Sequence, residues 1–402
     1  MARVLLGTIL MFHMVLVPSM AGPAYNKNNI PFQYGQEIPK IENLIGGQVE
    51  EQDAFAYQAF AGKLKVGFYS ETCPNAEKIV AEELALIVKR NPNAVPNILR
   101  LHFHDCFVGG CDASVLLDHN LSGEQVEKNS MSNGFLLKGA DIVDDIKAKL
   151  EEECPETVSC ADTLAFASNE ALALSGLKPL AHVGGRRDAL VSVSKDADNL
   201  PLSTWSVEQM INLFQQKGFT PEELVILLGA HSVGSSHCDS IMDRIYNFKG
   251  TQLPDPALPP PFVQELRQIC ANPGTPQFRN LPVNFDETPK VMDNLFFKNL
   301  AEKRKSLLQS DAVLMDDPRT APTVQKMADE PAEFAKRFPQ MLLKMSAMDV
   351  KTGNEGEVRK SCIVLDSVSK LAQCPYGKRA TARDGVAGEE LVDDDGRSNL
   401  LP

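Results

Sequence analysis

Apolar residues recur every three or four positions along the middle of this chain, and this spacing is the strongest constraint on its fold. Two segments show it most clearly: Val80, Leu84, Ile87 and Val88, then Ile142, Ile146 and Leu150. A helix with this spacing carries one apolar stripe, which is buried against neighbouring helices. No long alternation of apolar and polar residues predicts a sheet, and only a short hairpin is expected, near residues 183–193. The sequence therefore predicts an all-α fold.

Capping residues locate the starts of two helices. Ser206 and Gln209 have the spacing of a capping box, which predicts a helix from about residue 207. Thr220, followed by Pro221, predicts the start of a second helix. This second helix runs through a buried apolar segment and is expected to end at His231.

The chain begins with the features of a secretory signal peptide. Arg3 precedes an apolar run from Val4 to Val17, and the small residues Ala21 and Gly22 follow it. The run is too short to span a bilayer comfortably, so a membrane anchor is the less favoured interpretation. We therefore assign residues 1–22 to a cleaved signal.

The rest of the chain divides by composition into three parts. A segment without periodicity is interpreted as an N-terminal extension, the helical body as one domain, and the acidic end as a polar tail. Their expected bounds are residues 23–62, 63–366 and 367–402.

Net charge and cysteine content narrow the function classes. The net charge is −13 and the isoelectric point is near 5.1, which argues against nucleic acid as a partner, because phosphate binding needs a basic surface. Nine cysteines in a secreted chain favour disulfides over zinc ligands, since no paired CxxC motifs are present. The odd number leaves at least one thiol over, and spacing alone does not give the pairing.

Arg100 and His104 lie four residues apart, so they share one face if their segment is helical. Such a pair suits the heterolysis of a peroxide, because an imidazole can move the proton while a guanidinium stabilises the developing charge. Phe103 flanks the same face. One alternative is a satisfied histidine paired with Asp105. Another is a hydrolytic metal site of His102, His104 and Asp105, although helical spacing puts the two histidines on opposite faces.

The residues that follow His104 are rich in hard oxygen donors. They comprise the side chains of Asp105, Asp112 and Ser114 and the carbonyl groups of Val108 and Gly110. This density of oxygens suits Ca²⁺. The alternative is a solvated acidic turn.

A second histidine, His231, ends the buried apolar segment that Thr220 starts. A neutral imidazole at a helix end can supply the axial ligand of an iron porphyrin. The common alternative for such a residue is a packed core histidine.

Both histidine segments resemble signatures of one family, the secreted plant (class III) haem peroxidases. RLHFHDCFVGGCDAS, from Arg100 to Ser114, is similar to the family's distal signature, and LLGAHSVG, around His231, is similar to its proximal one. The resemblance runs from about Leu64 to Cys362 and includes further landmarks, such as GRRD and NLP.

This resemblance implies roles on the distal side. Arg100 and His104 would be the catalytic pair, with His104 as proton acceptor, and Phe103 would lie along the haem. Asn133 would accept a hydrogen bond from the Nδ1–H of His104, which leaves Nε2 as the base. The first calcium ion would be held by Asp105, Val108, Gly110, Asp112 and Ser114, with Glu127 acting through water.

On the proximal side, the resemblance implies that His231 binds the haem iron and that Asp311 orients its ring. Pro201 would line the exposed haem edge, where aromatic substrates bind. The second calcium ion would be held by Ser232, Asp286, Thr288, Val291 and Asp293. Asp286 lies one residue closer to Thr288 than is usual in the family, so this second site is expected to be altered.

The family fold is all-α, with haem b between a distal and a proximal half. The implied activity is the reduction of hydrogen peroxide to water, coupled to one-electron oxidation of small phenolic donors in cell-wall or stress-related chemistry. The implied protein is a monomer, exported to the cell wall or the vacuole, with no membrane contact after signal cleavage.

The implied disulfides are Cys73–Cys154, Cys106–Cys111, Cys160–Cys362 and Cys238–Cys270, which leave Cys374 unpaired. Asn120 begins a glycosylation sequon.

A peroxidase-fold protein without catalysis, acting as a calcium-binding wall component, is the alternative function. The intact set of Arg100, His104, His231 and Asp311 argues against it. The signal peptide and the cysteines also disfavour an intracellular peroxidase of the ascorbate kind.

Overall fold

The computed structural model describes residues 64–365, except 121, 272, 274 and 276–279. The predicted signal peptide, N-terminal extension, C-terminal tail and Cys374 lie outside these residues, so those assignments stay predictions.

Helices make up most of the described chain, as the apolar spacing predicts. Their bounds are α1 Ala76–Arg90, α2 Ala94–Cys106, α3 Ala140–Glu153, α4 Cys160–Leu174, α5 Val207–Gln216, α6 Pro221–Leu228, α7 Cys238–Tyr246, α8 Pro260–Ile269, α9 Leu295–Lys303, α10 Gln309–Ala312, α11 Ala321–Asp329 and α12 Pro331–Met345. The strands are β1 Lys65–Val66, β2 Val183–Gly184, β3 Ser235–His237 and β4 Pro282–Asn284. The all-α prediction is confirmed.

The two predicted helix starts are also confirmed. Ser206 and Gln209 form a capping box at the start of α5, and Thr220 and Glu223 form another at the start of α6. In each box the side chain of the first residue accepts from a backbone N–H that has no partner within the helix.

The predicted hairpin near residues 183–193 is wrong. β2 pairs antiparallel with β1, more than a hundred residues earlier, and Arg187 and Asp188 form bridges to Lys351 and Glu357. This segment has extended backbone because distant parts of the chain supply its partners, not because it folds back on itself.

Two groups of packed helices carry the residues of the predicted site. Helix α4 is buried along most of its length and packs against α1 and α2 in the first group. In the second group, α6 packs against α11 and α12. Helix α2 carries Arg100 and His104, and α6 leads into the 3₁₀ turn Gly229–Ser232 that carries His231.

Four disulfides join the described residues, with the pairing that the resemblance implies. They are Cys73–Cys154, Cys106–Cys111, Cys160–Cys362 and Cys238–Cys270. In the chain-entropy account, a bridge that closes a loop of 81 residues stabilises the fold by about 4 kcal/mol. Within the described residues, none of the helices has both the length and the apolar character that crossing a bilayer requires.

Asn120, the predicted glycosylation site, is engaged in the folded structure. Its residue exposure is 8%, and its amide nitrogen donates to the carbonyl groups of Ser192 and Glu124. Its Oδ1 accepts from the backbone N–H of Ser192 at 3.0 Å. A glycan on this nitrogen therefore requires these hydrogen bonds to open, so the structure does not favour glycosylation here.

Candidate active site

Arg100 and His104 share one face of α2, as their spacing predicts. Nε of Arg100 donates to Nε2 of His104 at 3.2 Å, and Nη1 of Arg100 donates to the carbonyl of Leu136 at 2.9 Å. The guanidinium is thus held beside the imidazole by a second anchor outside the helix.

Asn133 holds the opposite edge of the His104 ring. Its Oδ1 lies 2.6 Å from Nδ1 of His104, while its Nδ2 donates to the carbonyl of Glu127 at 2.7 Å. The second bond orients the amide, so the atom facing the ring is the acceptor. Nδ1 of His104 therefore carries the proton, and Nε2 has the lone pair that faces Arg100.

Burial keeps His104 neutral. Burial and, to a smaller extent, the charge of Arg100 lower its pKa to about 3, although the hydrogen bond to Asn133 acts in the opposite direction. The side chain is therefore a base throughout the physiological pH range.

His102 lies on the other side of α2. It is 1% exposed, and its Nε2 is 3.4 Å from Oγ of Ser346. A hydrolytic site that uses both histidines does not fit this geometry. His102 is close to the sulfur atoms of Cys106 and Cys111, but the disulfide between them removes the thiolates that a metal would need.

Phe103 forms part of an aromatic stack beside His104. Its ring centroid is 4.2 Å from that of Phe107, and Phe107 lies 4.8 Å from Phe214 of α5. Phe107 and Phe214 are buried in the core, so Phe103 is the partly accessible ring of this group and adds an apolar surface beside His104.

The residues after His104 fold into a compact loop in which oxygens converge. Asp105 accepts from the backbone N–H of Ala113 at 3.0 Å, and Asp112 accepts from that of Ser114 at 3.1 Å. Gly110 has φ +115°, and a side chain there would collide with the backbone of Asp349, so only glycine fits.

Two buried oxygens at this loop have no hydrogen bond of ordinary geometry: Oγ of Ser114 and, from the following 3₁₀ turn, Oε2 of Glu127, both on residues that are 2% exposed. The Ser114 hydroxyl is nevertheless close enough to Glu127 to lower the pKa of its carboxyl. Burial raises the pKa of Glu127 to about 8 and raises the pKa of Asp105, to which Asp112 also contributes. Orphaned oxygens and closely packed carboxylates fit a bound cation, and hard oxygen donors suit Ca²⁺.

His231 lies in the turn after α6 and faces Asp311. Nδ1 of His231 is 3.0 Å and 3.2 Å from the two carboxylate oxygens of Asp311, which is fully buried. Asp311 lies inside α10 and does not cap it, since Leu308 precedes its first residue. Because Nδ1 faces the carboxylate, Nε2 is the nitrogen that can bind a metal.

Phe285 is a site residue that the sequence reasoning missed. Its ring stacks on that of His231, with centroids 4.4 Å apart and planes 10° apart, and Phe296 meets the imidazole edge-on. Phe285 precedes Asp286, one of the predicted ligands. The sequence offers no periodic signal there, because Phe285 directly follows strand β4, which is only three residues long.

The residues of the second predicted calcium set also converge. Oγ of Ser232 is 3.2 Å from carboxylate oxygens of Asp286 and Asp293 and 3.4 Å from the carbonyl of Val291. Thr288 Oγ1 bridges the two carboxylates at 3.2 Å and 3.0 Å. Burial, with a contribution from the charge of Asp293, raises the pKa of Asp286 to about 6. The shorter spacing before Thr288 does not prevent this convergence.

His237, on strand β3, is close enough to the distal side to sense its positive charges. Burial lowers the pKa of His237, and the nearby positive charges of Arg100 and Lys138 lower it further. His237 lies six residues after His231, so the strand β3 after the proximal turn passes within electrostatic range of the distal arginine.

Pro201 lies half-buried on the loop before α5. The carbonyl of Ser203 accepts from the backbone N–H of Ser310 at 2.9 Å, which ties this loop to α10 and therefore to Asp311. Trp205 packs against the core from the same loop.

Comparisons with known proteins agree on one family. The model of the peroxidase family matches residues 80–330. The chain is 42% identical to peroxidase 28 of Arabidopsis thaliana over 309 residues, which cover 77% of this chain and 95% of that protein. It is 38% identical to peroxidase C2 of Armoracia rusticana over 315 residues, covering 77% and 89%. It is 36% identical to peroxidase 1 of Zea mays over 332 residues, covering 81% and 90%.

Proposed function

The chain belongs to the plant (class III) haem peroxidases, and on that premise we propose which of its residues carry the reaction with hydrogen peroxide. The family implies a peroxidase that uses haem to reduce hydrogen peroxide and oxidise a donor. The single observation that supports our assignment best is the ordered series Arg100–His104–Asn133 on one side, with the pair His231–Asp311 on the other.

Haem supplies the iron at which the peroxide bond is broken and the means to withdraw electrons from a donor. The residues fit this group: Nε2 of His231 would bind its iron, and Phe103 would contact it from the side of His104. We propose haem b, since the sequence contains no CxxCH motif for covalent attachment.

His104 is the proton carrier of the proposed mechanism. Its Nε2 lone pair accepts a proton from one peroxide oxygen, and the resulting N–H donates that proton to the other oxygen, which leaves as water. The two electrons that this reduction needs would come from the haem. Transfer by a positioned base of this kind is worth roughly 10²- to 10⁴-fold in rate.

Arg100 acts as a fixed positive charge. Its guanidinium stays charged at every physiological pH and faces the position where negative charge develops as the O–O bond lengthens. The bond from Nη1 to the carbonyl of Leu136 holds the guanidinium in place before the peroxide arrives.

Asp311 tunes the proximal ligand. The buried carboxylate accepts a hydrogen bond from Nδ1 of His231, which would make Nε2 a stronger electron donor to a bound iron. The Phe285 ring stacked on the imidazole limits its rotation.

We also propose two calcium ions, one at each oxygen cluster. The distal cluster starts at Asp105, directly after His104, and the proximal cluster starts at Ser232, directly after His231. Each ion would therefore hold the backbone next to one of the two histidines. The orphaned oxygens of Ser114 and Glu127 support the distal ion.

For the donor, we propose small phenols that approach beside Pro201, in an exported, monomeric protein. The predicted signal peptide and the four disulfides support export. The inactive, calcium-binding alternative is not favoured, because the chain has the complete catalytic set.

The proposal is tested by optical spectra of the purified holoprotein before and after hydrogen peroxide is added. The wild type should show a haem spectrum that changes rapidly with peroxide and returns when a phenol is added. His104→Leu should keep the haem and react with peroxide slower by about 10²-fold or more, whereas His231→Ala should lose the haem. His119→Leu, a change at an exposed histidine, is the matched control. Normal peroxide reaction in His104→Leu would refute the role of His104.

A further inference from the structure

The oxygen-rich loop after His104 is in contact with two lysine side chains. Nζ of Lys351 pairs with Oδ2 of Asp112, and Nζ of Lys217 donates to the carbonyl of Val108 at 3.1 Å. Asp112 and Val108 both belong to the proposed distal calcium set. Two ammonium groups therefore lie against oxygens that face the proposed ion.

Lys351 is placed in an unusually negative environment. Asp112 is 2% exposed, whereas a third of the Lys351 side chain remains accessible, so the ammonium covers the carboxylate from outside. The electrostatic effect of Lys351 also reaches Glu127, whose pKa it lowers against the larger effect of burial. Asp105 belongs to the same group of buried carboxylates, because Asp112 and Glu127 both raise its pKa. Lys351 therefore places a positive charge beside this group through its pair with Asp112.

The backbone around Lys351 is fixed to the same loop. The carbonyl of Met348 accepts from the N–H of Cys111 at 3.1 Å, and the carbonyl of Lys351 accepts from the N–H of Arg187 at 2.9 Å. The backbone of Asp349 lies directly against Gly110. Because both ends of the 348–351 segment are held, the backbone places the side chain of Lys351 beside Asp112.

Lys217, the residue directly after α5, is also held against this loop. Its Nζ lies 3.6 Å from a carboxylate oxygen of Asp349, in addition to its bond to Val108. Asp349 is exposed, so this pair contributes little energy of its own. It keeps a second cation near the loop.

The proximal cluster differs from the distal one in the charged groups beside its carboxylates. Within the described residues, the carboxylates of Asp286 and Asp293 receive hydrogen bonds from hydroxyl and backbone N–H groups, and no ammonium group pairs with them. The two clusters thus offer the same kind of oxygen donors with different neighbouring charge.

We propose that Lys351 is a built-in counter-cation of the distal loop, which keeps the loop folded without calcium and weakens its affinity for the ion. The proposal rests on the proposed distal calcium site. Its physical basis is the repulsion between the ammonium and a divalent cation that share Asp112. Lys217 supports the same effect from the Val108 side.

The test is a calcium titration of the chelator-treated holoenzyme, followed by calorimetry, on the wild type and Lys351→Met. Methionine has similar length without the charge. We expect distal calcium affinity to increase roughly tenfold or more, since relief of about 1.4 kcal/mol of repulsion gives a factor of ten. The proximal affinity should not change. Asp112→Asn, which should weaken only the distal step, identifies that step in the titration.

A second measurement is the midpoint of thermal unfolding. Without calcium, Lys351→Met should unfold at a lower temperature than the wild type, because the buried carboxylates lose their counter-cation. With saturating calcium, the difference should shrink or reverse. Lys351→Arg, which keeps the charge, and Lys89→Met, at an exposed lysine at the end of α1, should behave as the wild type in both measurements.

If Lys351→Met does not fold, Lys351→Gln makes the same charge change and replaces it. Unchanged or weaker distal affinity in the neutral variant would overturn the proposal, since weaker binding would mean that Lys351 positions Asp112 for the ion. Absence of a distal calcium step in the wild type would overturn it as well. Peroxide turnover, measured on the same sample, reports on the proposed function independently of the titration.

Discussion

At the scale of single residues, the state of His104 depends on two neighbours at opposite edges of its ring. Asn133 accepts from Nδ1 at 2.6 Å, and the Nε–H of Arg100 points at Nε2 from 3.2 Å. Both contacts require the same tautomer, in which Nε2 has no proton. The structure therefore presents a base whose lone pair is already directed at the neighbouring cation.

We predict that Asn133→Val slows the reaction with peroxide about 10- to 100-fold, the usual cost of removing a group that orients a catalytic histidine. Valine is similar in size but offers no acceptor for Nδ1. The rate constant for the reaction of the holoprotein with peroxide, measured by stopped flow, checks this prediction.

Asn133→Asp serves as the conservative control, since it keeps an acceptor at the same position. Its negative charge should raise the pKa of His104 from about 3, so the loss of rate in acid should occur at higher pH than in the wild type. A Val variant as fast as the wild type would show that the tautomer does not depend on this contact.

At the scale of secondary-structure elements, the position of His231 depends on how α6 starts and stops. The capping box of Thr220 and Glu223 starts the helix, and a 3₁₀ turn of four residues ends it at Ser232. Glu223 also pairs with Lys344 of α12 at 2.7 Å, so the cap is connected to a second element. The start of α6 thus contributes both to local helix stability and to helix packing.

We predict that Thr220→Ala lowers the free energy of unfolding by about 1 kcal/mol, because the N–H of Glu223 loses its acceptor. Thr220→Ser keeps the hydroxyl and should cost much less. Urea unfolding followed by circular dichroism measures both variants. An equal loss in the two variants would mean that the threonine methyl group, not the cap, stabilises this end.

At the scale of the whole molecule, acid stability should depend on histidines that are buried without charge. Burial and, to a smaller extent, the charge of Arg186 lower the pKa of His102 to about 3. In the unfolded chain a histidine has its ordinary pKa near 6.5. Between these two values the unfolded chain binds a proton that the folded protein does not bind, so stability decreases as pH falls through this window.

We predict that the wild type loses roughly 2–3 kcal/mol more stability than His102→Gln between pH 7 and pH 4.5, at about 1.4 kcal/mol per unit of pKa difference. Equilibrium urea unfolding at the two pH values measures this difference. His119→Gln, at an exposed position, should retain the acid sensitivity of the wild type. If His102→Gln is equally sensitive to acid, the loss of stability arises from other groups.

Several local features were predictable from sequence because their causes lie within a few residues. The capping boxes at Ser206 and Thr220 and the shared face of Arg100 and His104 follow from helix geometry alone. The pairing of the cysteines did not follow from their spacing, and only the resemblance to a family supplied it before the structure did.

Other features were decided only by the tertiary structure, since they join residues far apart in the chain. β2 pairs with β1 instead of forming a hairpin, Phe285 stacks on His231, and Lys351 lies against Asp112. Helical spacing predicts which residues share one face of a helix, but it does not predict which distant segment packs against that face. The sequence thus determined the fold class and the chemical groups of the site, whereas the folded chain determined their partners and charges.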